Sequence, residues 1–283
     1  MRTVSEALQN ASERLDQAGL DDSRLEARLL LAYSLNRSTV WIFQNPEMPL
    51  APEVDERLTS FIKQRLSGVP LAYLLGTREF YGRSFRVDAR VLVPRPETET
   101  LLESALEFAR DACVSNVVDV GTGSGILAIS LALELPQARI WAVDRSSDAL
   151  AVARQNAADQ GVTTRVNFLA GDLLAPVPVQ ADLIVANLPY VPTDEMRRLQ
   201  PEVRHEPRIA LDGGPDGLDL YRRLLSQVPA VLHPSGALFL EIGDQQGAAM
   251  SRITQAALPG FQVRVQRDLE GRDRVVSATA KRE

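Results

Sequence analysis

The chain has 283 residues, of which 45% are hydrophobic and 24% are charged. This length exceeds that of a usual single domain and predicts two domains. No stretch approaches the roughly 18 uninterrupted apolar residues that a membrane span needs, and the first residues form an acidic amphipathic pattern rather than an export signal. We therefore expect a cytoplasmic protein with no membrane partner.

The net charge and the scarcity of cysteine and histidine argue against two further classes of protein, nucleic-acid-binding proteins and metalloproteins. The formal net charge is -6, so no overall field attracts a polyanion and we expect no direct nucleic-acid partner. The lone cysteine, Cys113, rules out an internal disulfide. With only His205 and His233 beside it, no metal site can be drawn. We expect Cys113 to be a buried structural residue.

Residues 1–75 predict a separate helical bundle. Thr3 and Glu6 form a capping-box pattern at the start of the first helix, and further helices are predicted from Ser23 and from Pro52. The apolar stripes are interpreted as core, and that of the second helix consists of Leu25, Leu29, Leu30 and Tyr33. The bundle carries no catalytic residue pattern. It therefore either recognises a macromolecular partner or shields a site elsewhere.

A linker and then a larger domain follow the helical bundle. The turn at Gly82 and the alternation over residues 85–88 predict a β-hairpin within residues 76–96 that joins the bundle to the domain formed by residues 97–283. At the start of that domain, Thr98 is interpreted as ordinary chemistry of a helix N-terminus.

Residues 117–127 read Val-Val-Asp-Val-Gly-Thr-Gly-Ser-Gly-Ile-Leu. A buried strand here breaks into glycines and continues as a helix up to about Leu135. Glycines allow the backbone to turn tightly and to approach a ligand closely, which suits a nucleotide-type cofactor. The dinucleotide fingerprint requires glycine where Ile126 stands, and this weakens an assignment to NAD.

Three further apolar runs end in polar or glycine residues. The first ends at Asp144, the second at residues 171–173, and the third at Asn187. Ligands bind open α/β sheets at the carboxyl ends of the strands, and a carboxylate about twenty residues beyond the glycines can accept both hydroxyls of a ribose. Residues 237–243 predict a fifth strand, and residues 261–265 and 274–278 a closing antiparallel pair.

The tetrapeptide Asn187-Leu188-Pro189-Tyr190 carries the most chemical information. An amide oxygen next to a flat aromatic surface, at the rim of a sheet, is suited to gripping a planar NH2 group. Pro189 favours an extended conformation for Leu188, which leaves the Leu188 carbonyl available as a second acceptor.

These motifs resemble the class I S-adenosylmethionine-dependent methyltransferases. The resemblance implies a seven-stranded Rossmann-like sheet with one reversed strand, and S-adenosyl-L-methionine as cofactor. In that family the glycine loop runs along the methionine part, an acidic residue holds the ribose, and a further pair flanks the adenine. The residues implied to bind the cofactor are Asp119, Gly121, Thr122, Gly123, Ser124, Gly125, Asp144, Asp172, Leu173 and Asn187.

Longer motifs narrow the resemblance. The pattern R-x-x-G-x-P-x-A-Y-L-x-G over residues 65–76, Pro-Arg-Pro-Glu-Thr-Glu over residues 94–99, and segments 205–218 and 271–276 resemble the release factor glutamine methyltransferases. That family methylates N5 of the glutamine in the Gly-Gly-Gln tripeptide of bacterial class I peptide chain release factors. The resemblance implies a release factor as protein partner, and we expect a monomer.

The resemblance also assigns roles around the acceptor. It implies Asn187, Pro189 and Tyr190 as catalytic residues. The same three, with Leu188, Arg95 and Glu97, are implied to bind the substrate, and Glu97 can alternatively cap the following helix. His205 and Glu206 follow in a loop that can reach substrate.

Three alternatives stay open. The family tetrapeptide usually has proline at the position of Leu188, and Asn-Leu-Pro-Tyr also resembles the motif of ribosomal RNA adenine dimethyltransferases. The first alternative is therefore an adenine N6 methyltransferase that acts on nucleic acid. A glutamine methyltransferase acting on a ribosomal protein is another. The third is a noncatalytic cofactor-binding partner of the translation machinery.

Overall fold

A computed structural model describes residues 2–280. The chain divides into two compact units. The helical unit consists of residues 1–77 together with residues 200–205, and the sheet unit consists of residues 78–199 and 206–283. Among the described residues, no helix is both long enough and apolar enough to cross a membrane.

The helical unit contains the three predicted helices and two short ones that were not predicted. The predicted helices are α1 (Val4–Gln17), α2 (Ser23–Leu35) and α4 (Pro52–Leu66), and the short ones are α3 (Thr39–Gln44) and α5 (Leu71–Leu75). The capping box of α1 is confirmed, because the Thr3 hydroxyl accepts a hydrogen bond from the Glu6 backbone N–H and the Glu6 carboxylate accepts one from the Thr3 N–H.

The predicted core stripe of α2 is wrong at two positions. Leu25 and Tyr33 are 42% and 40% exposed, whereas Leu30 on the same helix is fully buried. Tyr33 instead packs against Phe61, with the Arg57 guanidinium 5.0 Å from the centre of its ring. The cation covers the ring, which lets the aromatic side chain remain at the surface.

One buried cation ties residues 200–205 to the helical unit. The Arg65 side chain is 3% exposed and forms ion pairs with Glu26, at 2.7 Å, and with Glu202. In the same segment, Nε2 of His205 lies 3.1 Å from the carbonyl oxygen of Ser67. His205, expected in a loop that can reach substrate, therefore contacts the end of α4.

The sheet unit begins with the predicted hairpin and continues into the main sheet. The hairpin strands are β1 (Thr77–Phe80) and β2 (Arg83–Arg86). The main sheet contains β3 (Asn116–Val120), β4 (Arg139–Asp144), β5 (Val166–Ala170), β6 (Ala181–Ala186), β7 (Leu232–Glu241), β8 (Phe261–Arg267) and β9 (Asp273–Ala280).

The order of the main sheet is β5-β4-β3-β6-β7-β9-β8, and β9 runs antiparallel to both of its neighbours. The predicted seven-stranded sheet with one reversed strand is confirmed. From β3 the chain first proceeds outward through β4 and β5, then returns to place β6 on the other side of β3. The carboxyl ends of β3 and β6 therefore flank the switch point at which such sheets bind ligands.

Helices cover both faces of this sheet. They are α6 (Thr98–Asp111), α7 (Ile126–Glu134), α8 (Ser147–Asp159), α9 (Asp219–Val231) and α10 (Gly247–Ala257). The sheet unit also has 3-10 turns at Glu195–Arg198 and Arg208–Ala210, and the helical unit has one at Val203–His205. Successive strand residues point to opposite faces. Val117 accordingly packs in the core beneath α6, α7 and α8, and Val118 packs beneath α9 and α10.

Two sequence expectations differ from the fold. Strand β7 begins at Leu232, five residues before the predicted start at Ala237. Cys113 is exposed rather than buried. It lies in the short connection between α6 and β3, where no neighbouring element covers it, so the usual tendency of free cysteine toward burial is not expressed.

Candidate active site

The glycine loop between β3 and α7 is held in a conformation that side chains rarely adopt. The φ angles of Gly121, Gly123 and Gly125 are +76°, +55° and +85°. A Cβ on Gly121 would lie 2.8 Å from Cδ2 of Leu188, and one on Gly125 would lie 2.9 Å from Cδ1 of Ile129. Gly121 thus permits contact with the tetrapeptide, whereas Gly125 permits close packing against α7 and α8.

Asp119, on strand β3, anchors this loop through hydrogen bonds. Its Oδ2 accepts hydrogen bonds from the Thr122 hydroxyl at 2.6 Å and from the Ala128 backbone N–H at 3.1 Å. Its Oδ1 has no hydrogen-bond partner among residues 2–280. Burial raises the pKa of Asp119 to about 7, although these two hydrogen bonds oppose the shift.

Asp144, at the end of β4, ties the loop to the neighbouring strand. Its carboxylate accepts hydrogen bonds from the backbone N–H of Gly123 at 2.9 Å and of Ser146 at 2.8 Å. Each carboxylate oxygen can accept more than one hydrogen bond, so both can still bind hydroxyl donors.

The end of β5 contributes a different surface. Leu173 is buried, with a φ of +51°, and Asp172 before it forms an exposed ion pair with Arg223 of α9. This arrangement places an apolar side chain beside a carboxylate, which suits the face and edge of an adenine ring.

The tetrapeptide after β6 is fixed by residues from distant parts of the chain. The Asn187 amide nitrogen Nδ2 donates a hydrogen bond of 3.2 Å to the Thr98 hydroxyl. The backbone N–H of Leu188 donates to the Tyr221 hydroxyl at 3.2 Å, and that hydroxyl in turn contacts the carbonyl oxygens of Leu188 and Glu241. Burial raises the pKa of Tyr221, so the hydroxyl keeps its proton.

Tyr190, the last residue of the tetrapeptide, does not line the cavity that the other three residues face. Its backbone carbonyl accepts a hydrogen bond of 2.9 Å from Nε2 of Gln246, and its ring packs on the core beneath α9 and α10. Burial first and the nearby Glu241 second raise the pKa of Tyr190 to about 12.

Arg95 and Glu97 of segment 94–99 differ in their contacts. Arg95 forms an ion pair with Glu206, which is buried and also accepts a hydrogen bond from the Val93 backbone N–H at 3.0 Å. Glu206 thus holds the segment in place instead of lying free in a loop. Glu97 is the N-cap residue of α6, but its side chain makes no capping hydrogen bond.

These residues surround one cavity in the sheet unit, with an empty volume of about 1000 Å³ that includes space open to solvent. The sequence-predicted residues that line it are Arg95, Gly121, Thr122, Gly123, Ser124, Asp144, Asp172, Leu173, Asn187, Leu188 and Pro189. The predicted residues outside its wall are Glu97, Asp119, Gly125, Tyr190, His205 and Glu206. Asp119 and Gly125 shape the loop from behind.

The chemistry of the cavity fits S-adenosylmethionine. The Asp144 carboxylate can accept the ribose hydroxyls, and Leu173 offers an apolar face for the adenine. A Cβ at Gly121 would collide with Leu188, so only glycine keeps the loop at this distance from the tetrapeptide. Val143 and Leu127 add apolar surface to the cavity wall. Such a surface suits a cofactor whose positive charge disappears on methyl transfer.

Sequence reasoning missed three side chains at this site. Thr98, expected to serve only the helix N-terminus, accepts the hydrogen bond from Asn187. Tyr221 and Glu241 lie far along the chain from the tetrapeptide that they approach. One signal was available for Glu241, because it is an acidic residue at the carboxyl end of a buried strand, the same pattern that selected Asp144.

Comparisons with known proteins agree with this geometry. Residues 6–76 match the PrmC N-terminal domain, and residues 114–260 match a methyltransferase domain. The release factor glutamine methyltransferase of Moorella thermoacetica is 43% identical over 99% of this chain and 100% of its own. That of Deinococcus radiodurans is 42% identical over 97% of this chain and 98% of its own.

Solved structures agree on the fold. The ribosomal protein L11 methylase of Lactobacillus delbrueckii subsp. bulgaricus is 23% identical with a TM-score of 0.52, over 72% of this chain and 90% of that one. The 16S rRNA N2 G1207 methyltransferase of T. thermophilus is 18% identical with a TM-score of 0.52, over 72% of this chain and 50% of that one. Because the chain is 43% and 42% identical to these two relatives over nearly its full length, it belongs to the release factor glutamine methyltransferase family.

Proposed function

We propose that this protein transfers a methyl group from S-adenosylmethionine to the side-chain amide nitrogen N5 of a glutamine in a peptide chain release factor. The observation that carries the proposal is the orientation of Asn187 on the cavity wall. Its Nδ2 is engaged by Thr98, and its Oδ1 has no hydrogen-bond donor among the described residues. An amide oxygen is thereby left to accept a substrate N–H.

A second acceptor lies beside it. The Leu188 carbonyl oxygen contacts the Tyr221 hydroxyl at 3.1 Å and keeps a further lone pair. A primary amide has two N–H donors, which two acceptors can hold in one plane. Asn187 and Leu188 therefore select a planar NH2 group and orient it.

Orientation matters because a carboxamide nitrogen is a poor nucleophile. Its lone pair is shared with the carbonyl, the same resonance that makes a peptide bond planar. Holding reactants in a near-attack geometry can contribute roughly 7 to 11 kcal/mol toward the barrier. Bound S-adenosylmethionine supplies an electrophilic methyl carbon, whose bond to sulfur breaks with the electron pair returning to sulfur.

The Asn187 and Leu188 oxygens also act during the reaction. As the amide nitrogen forms its bond to carbon, positive charge develops on it and both N–H hydrogen bonds become stronger. The nitrogen then releases one of its two protons to water. This scheme requires no strong general base on the cavity wall.

The remaining assignments follow from this scheme. The helical unit recognises the release factor, and Arg95 lies on the cavity wall where it can meet the peptide that carries the glutamine. The proposed enzyme acts as a monomer. Such an enzyme works in the cytoplasm, where translation terminates.

Methyl transfer from labelled cofactor tests the proposal. The acceptors are purified release factor, its variant with alanine in place of the glutamine, ribosomal proteins, and bare ribosomal RNA. We expect label only on the unmodified release factor. Label on the alanine variant, on ribosomal protein alone or on RNA alone would contradict the proposal and favour one of the alternative substrates.

The enzyme variant Asn187→Ala tests the role of the amide. We expect turnover to be abolished while cofactor affinity stays within about tenfold, since the loss is confined to the transition state. Asn167→Ala is the matched control, because Asn167 lies on β5 of the same sheet and away from the cavity. Equal activity of Asn187→Ala and parent would remove Asn187 from the mechanism.

A further inference from the structure

A buried carboxylate lies directly behind the acceptor amide. Glu241 is the last residue of β7, and the preceding pair in the parallel register joins Leu240 to Ala186. The register therefore places Glu241 beside Asn187, the residue that follows Ala186. Glu241 is 1% exposed, and its Oε2 has no hydrogen-bond partner within residues 2–280. Such a carboxylate is costly to bury, which suggests a role beyond packing.

Thr98 connects the two groups. Its hydroxyl accepts the hydrogen bond from Nδ2 of Asn187 at 3.2 Å. The side chains of Thr98 and of Asn187 both lie close enough to the Glu241 carboxylate to stabilise its ionised form. Thr98 is 1% exposed, so water does not compete for these contacts.

We propose that Glu241 is a positioning residue that acts directly and through Thr98 to hold the Asn187 carboxamide with its oxygen toward the cavity. This inference rests on the proposed function, because it explains how the acceptor for the substrate N–H is kept in place. Glu241 itself is absent from the cavity wall and touches no reacting atom.

The direction of the hydrogen bonds follows from which groups can donate a hydrogen and which can only accept one. An ionised carboxylate can only accept, so the single proton of the Thr98 hydroxyl points to Glu241. The Thr98 oxygen must then accept from Asn187, and only the NH2 end of the carboxamide can donate. A reversed Asn187 amide would place two acceptor oxygens face to face. Glu241 thereby discriminates between two orientations that have nearly the same shape.

The preference for one orientation of the Asn187 amide depends on the ionisation of Glu241. Burial raises the pKa of Glu241 to about 7, and Glu97 at the start of α6 adds to the increase. The hydrogen bonds from Thr98 and Asn187 and the charge of Arg274 on β9 oppose it, while Tyr190 and Tyr221 are the other titratable groups that face the carboxyl. A protonated Glu241 can donate to Thr98, which removes the preference for one amide orientation. Activity should therefore increase with pH through about 7.

The test compares matched variants. We expect Glu241→Gln and Thr98→Val each to lower kcat by roughly 10- to 100-fold with KM for release factor within about threefold, as for loss of a hydrogen bond that orients a buried group. Thr98→Ser keeps the hydroxyl and should recover most of the kcat that Thr98→Val loses. The control is Thr254→Val, the same exchange at a buried threonine on α10 outside the cavity wall.

Two readouts separate positioning from a merely structural role. Asp119 titrates in the same range, so the pH profile is compared in the Asp119→Asn background. From about pH 6 to about pH 9, Asp119→Asn should lose kcat on the acid side near pH 7, and the double variant with Glu241→Gln should not. In nuclear magnetic resonance spectra of the substrate-free protein, the Asn187 NH2 signals of the parent should shift with pH over the same range. In Glu241→Gln they should remain constant.

Specific results would overturn the inference. Parental kcat in Glu241→Gln, an acid limb that persists when Glu241→Gln is combined with Asp119→Asn, or Asn187 NH2 signals that do not respond to pH in the parent would each do so. Failure of Thr98→Ser to recover kcat would have the same meaning. Failure of the proposed function is distinguishable, because the parent itself would then not methylate release factor, and the spectra of Asn187 would still decide the role of Glu241.

Discussion

The carboxylate of Asp144 accepts a hydrogen bond of 2.9 Å from the backbone N–H of Gly123, so the end of β4 holds the glycine loop that follows β3. One side chain thus shapes the loop and presents oxygens to the cavity. Its removal should affect the cofactor more than the protein substrate.

Asp144→Ala should weaken S-adenosylmethionine binding by roughly 10- to 100-fold, since hydrogen bonds to a charged group contribute about 1.5 to 3 kcal/mol. Calorimetric titration of the cofactor measures the change. Asp148→Ala, four residues along on the exposed start of α8, is the control and should bind like the parent. Parental affinity in Asp144→Ala would exclude Asp144 as a ribose ligand.

Gly121→Ala should destabilise the protein more than Gly161→Ala. Both glycines have positive φ, +76° and +71°, so each alanine costs about 1 to 2 kcal/mol of backbone strain. Only at Gly121 does the new Cβ also meet a neighbour, Cδ2 of Leu188 at 2.8 Å. Denaturant unfolding measures both changes. Adding Leu188→Ala should recover part of the Gly121→Ala loss, and no recovery would show that this contact is unimportant.

Tyr221→Phe should lower the free energy of unfolding by about 1 to 3 kcal/mol, because it leaves the Leu188 N–H buried without an acceptor. Proline lacks that N–H, so Leu188→Pro should cost less in the Tyr221→Phe background than in the parent. A double-mutant cycle by denaturant unfolding measures this coupling. Tyr33→Phe, at an exposed tyrosine, is the control. Additive effects of the two changes would contradict the interpretation.

Asp119→Asn should change how stability depends on pH. The pKa of Asp119 rises on folding from an ordinary value of 3.8 to about 7, so the folded state binds more protons than the unfolded state between about pH 4 and about pH 7. The unfolding free energy of the parent therefore includes a contribution that is complete below about pH 4 and lost as the pH rises to about 7.

The asparagine variant does not titrate, so its stability relative to the parent should increase across that interval and then level off. Its carboxamide oxygen can keep the bonds from Thr122 and Ala128. Denaturant unfolding at several pH values measures the difference, with exposed Asp148→Asn as the control. A difference that is independent of pH would mean that Asp119 is ionised in the folded protein at acidic pH.

Local signals in the sequence predicted much of the fold. The Thr3 and Glu6 capping box, the glycine loop and the polar ends of the buried strands each depend on a few adjacent residues, and the structure contains all of them. The seven-stranded sheet followed from family resemblance. Where exposure depends on neighbours from elsewhere in the chain, as at Cys113 and Tyr33, the predictions were wrong.

The supporting residues of the candidate site were not predicted for a related reason. Thr98 precedes Asn187 by 89 residues, and Tyr221 follows Leu188 by 33. Only the strand order, with β7 beside β6, brings Glu241 next to the tetrapeptide. A threonine at a helix start and a tyrosine on an apolar helix face look ordinary in sequence, since their partners arise from long-range pairing.

The return of residues 200–205 to the helical unit limits how the chain can be divided. A fragment that ends at residue 77 would lack Glu202, so the buried Arg65 would keep Glu26 and lose its second counter-ion. Exchange of the helical unit between relatives must therefore transplant two separate stretches of the gene, and a recombination point at the hairpin alone would yield chimaeras with a mismatched ion pair.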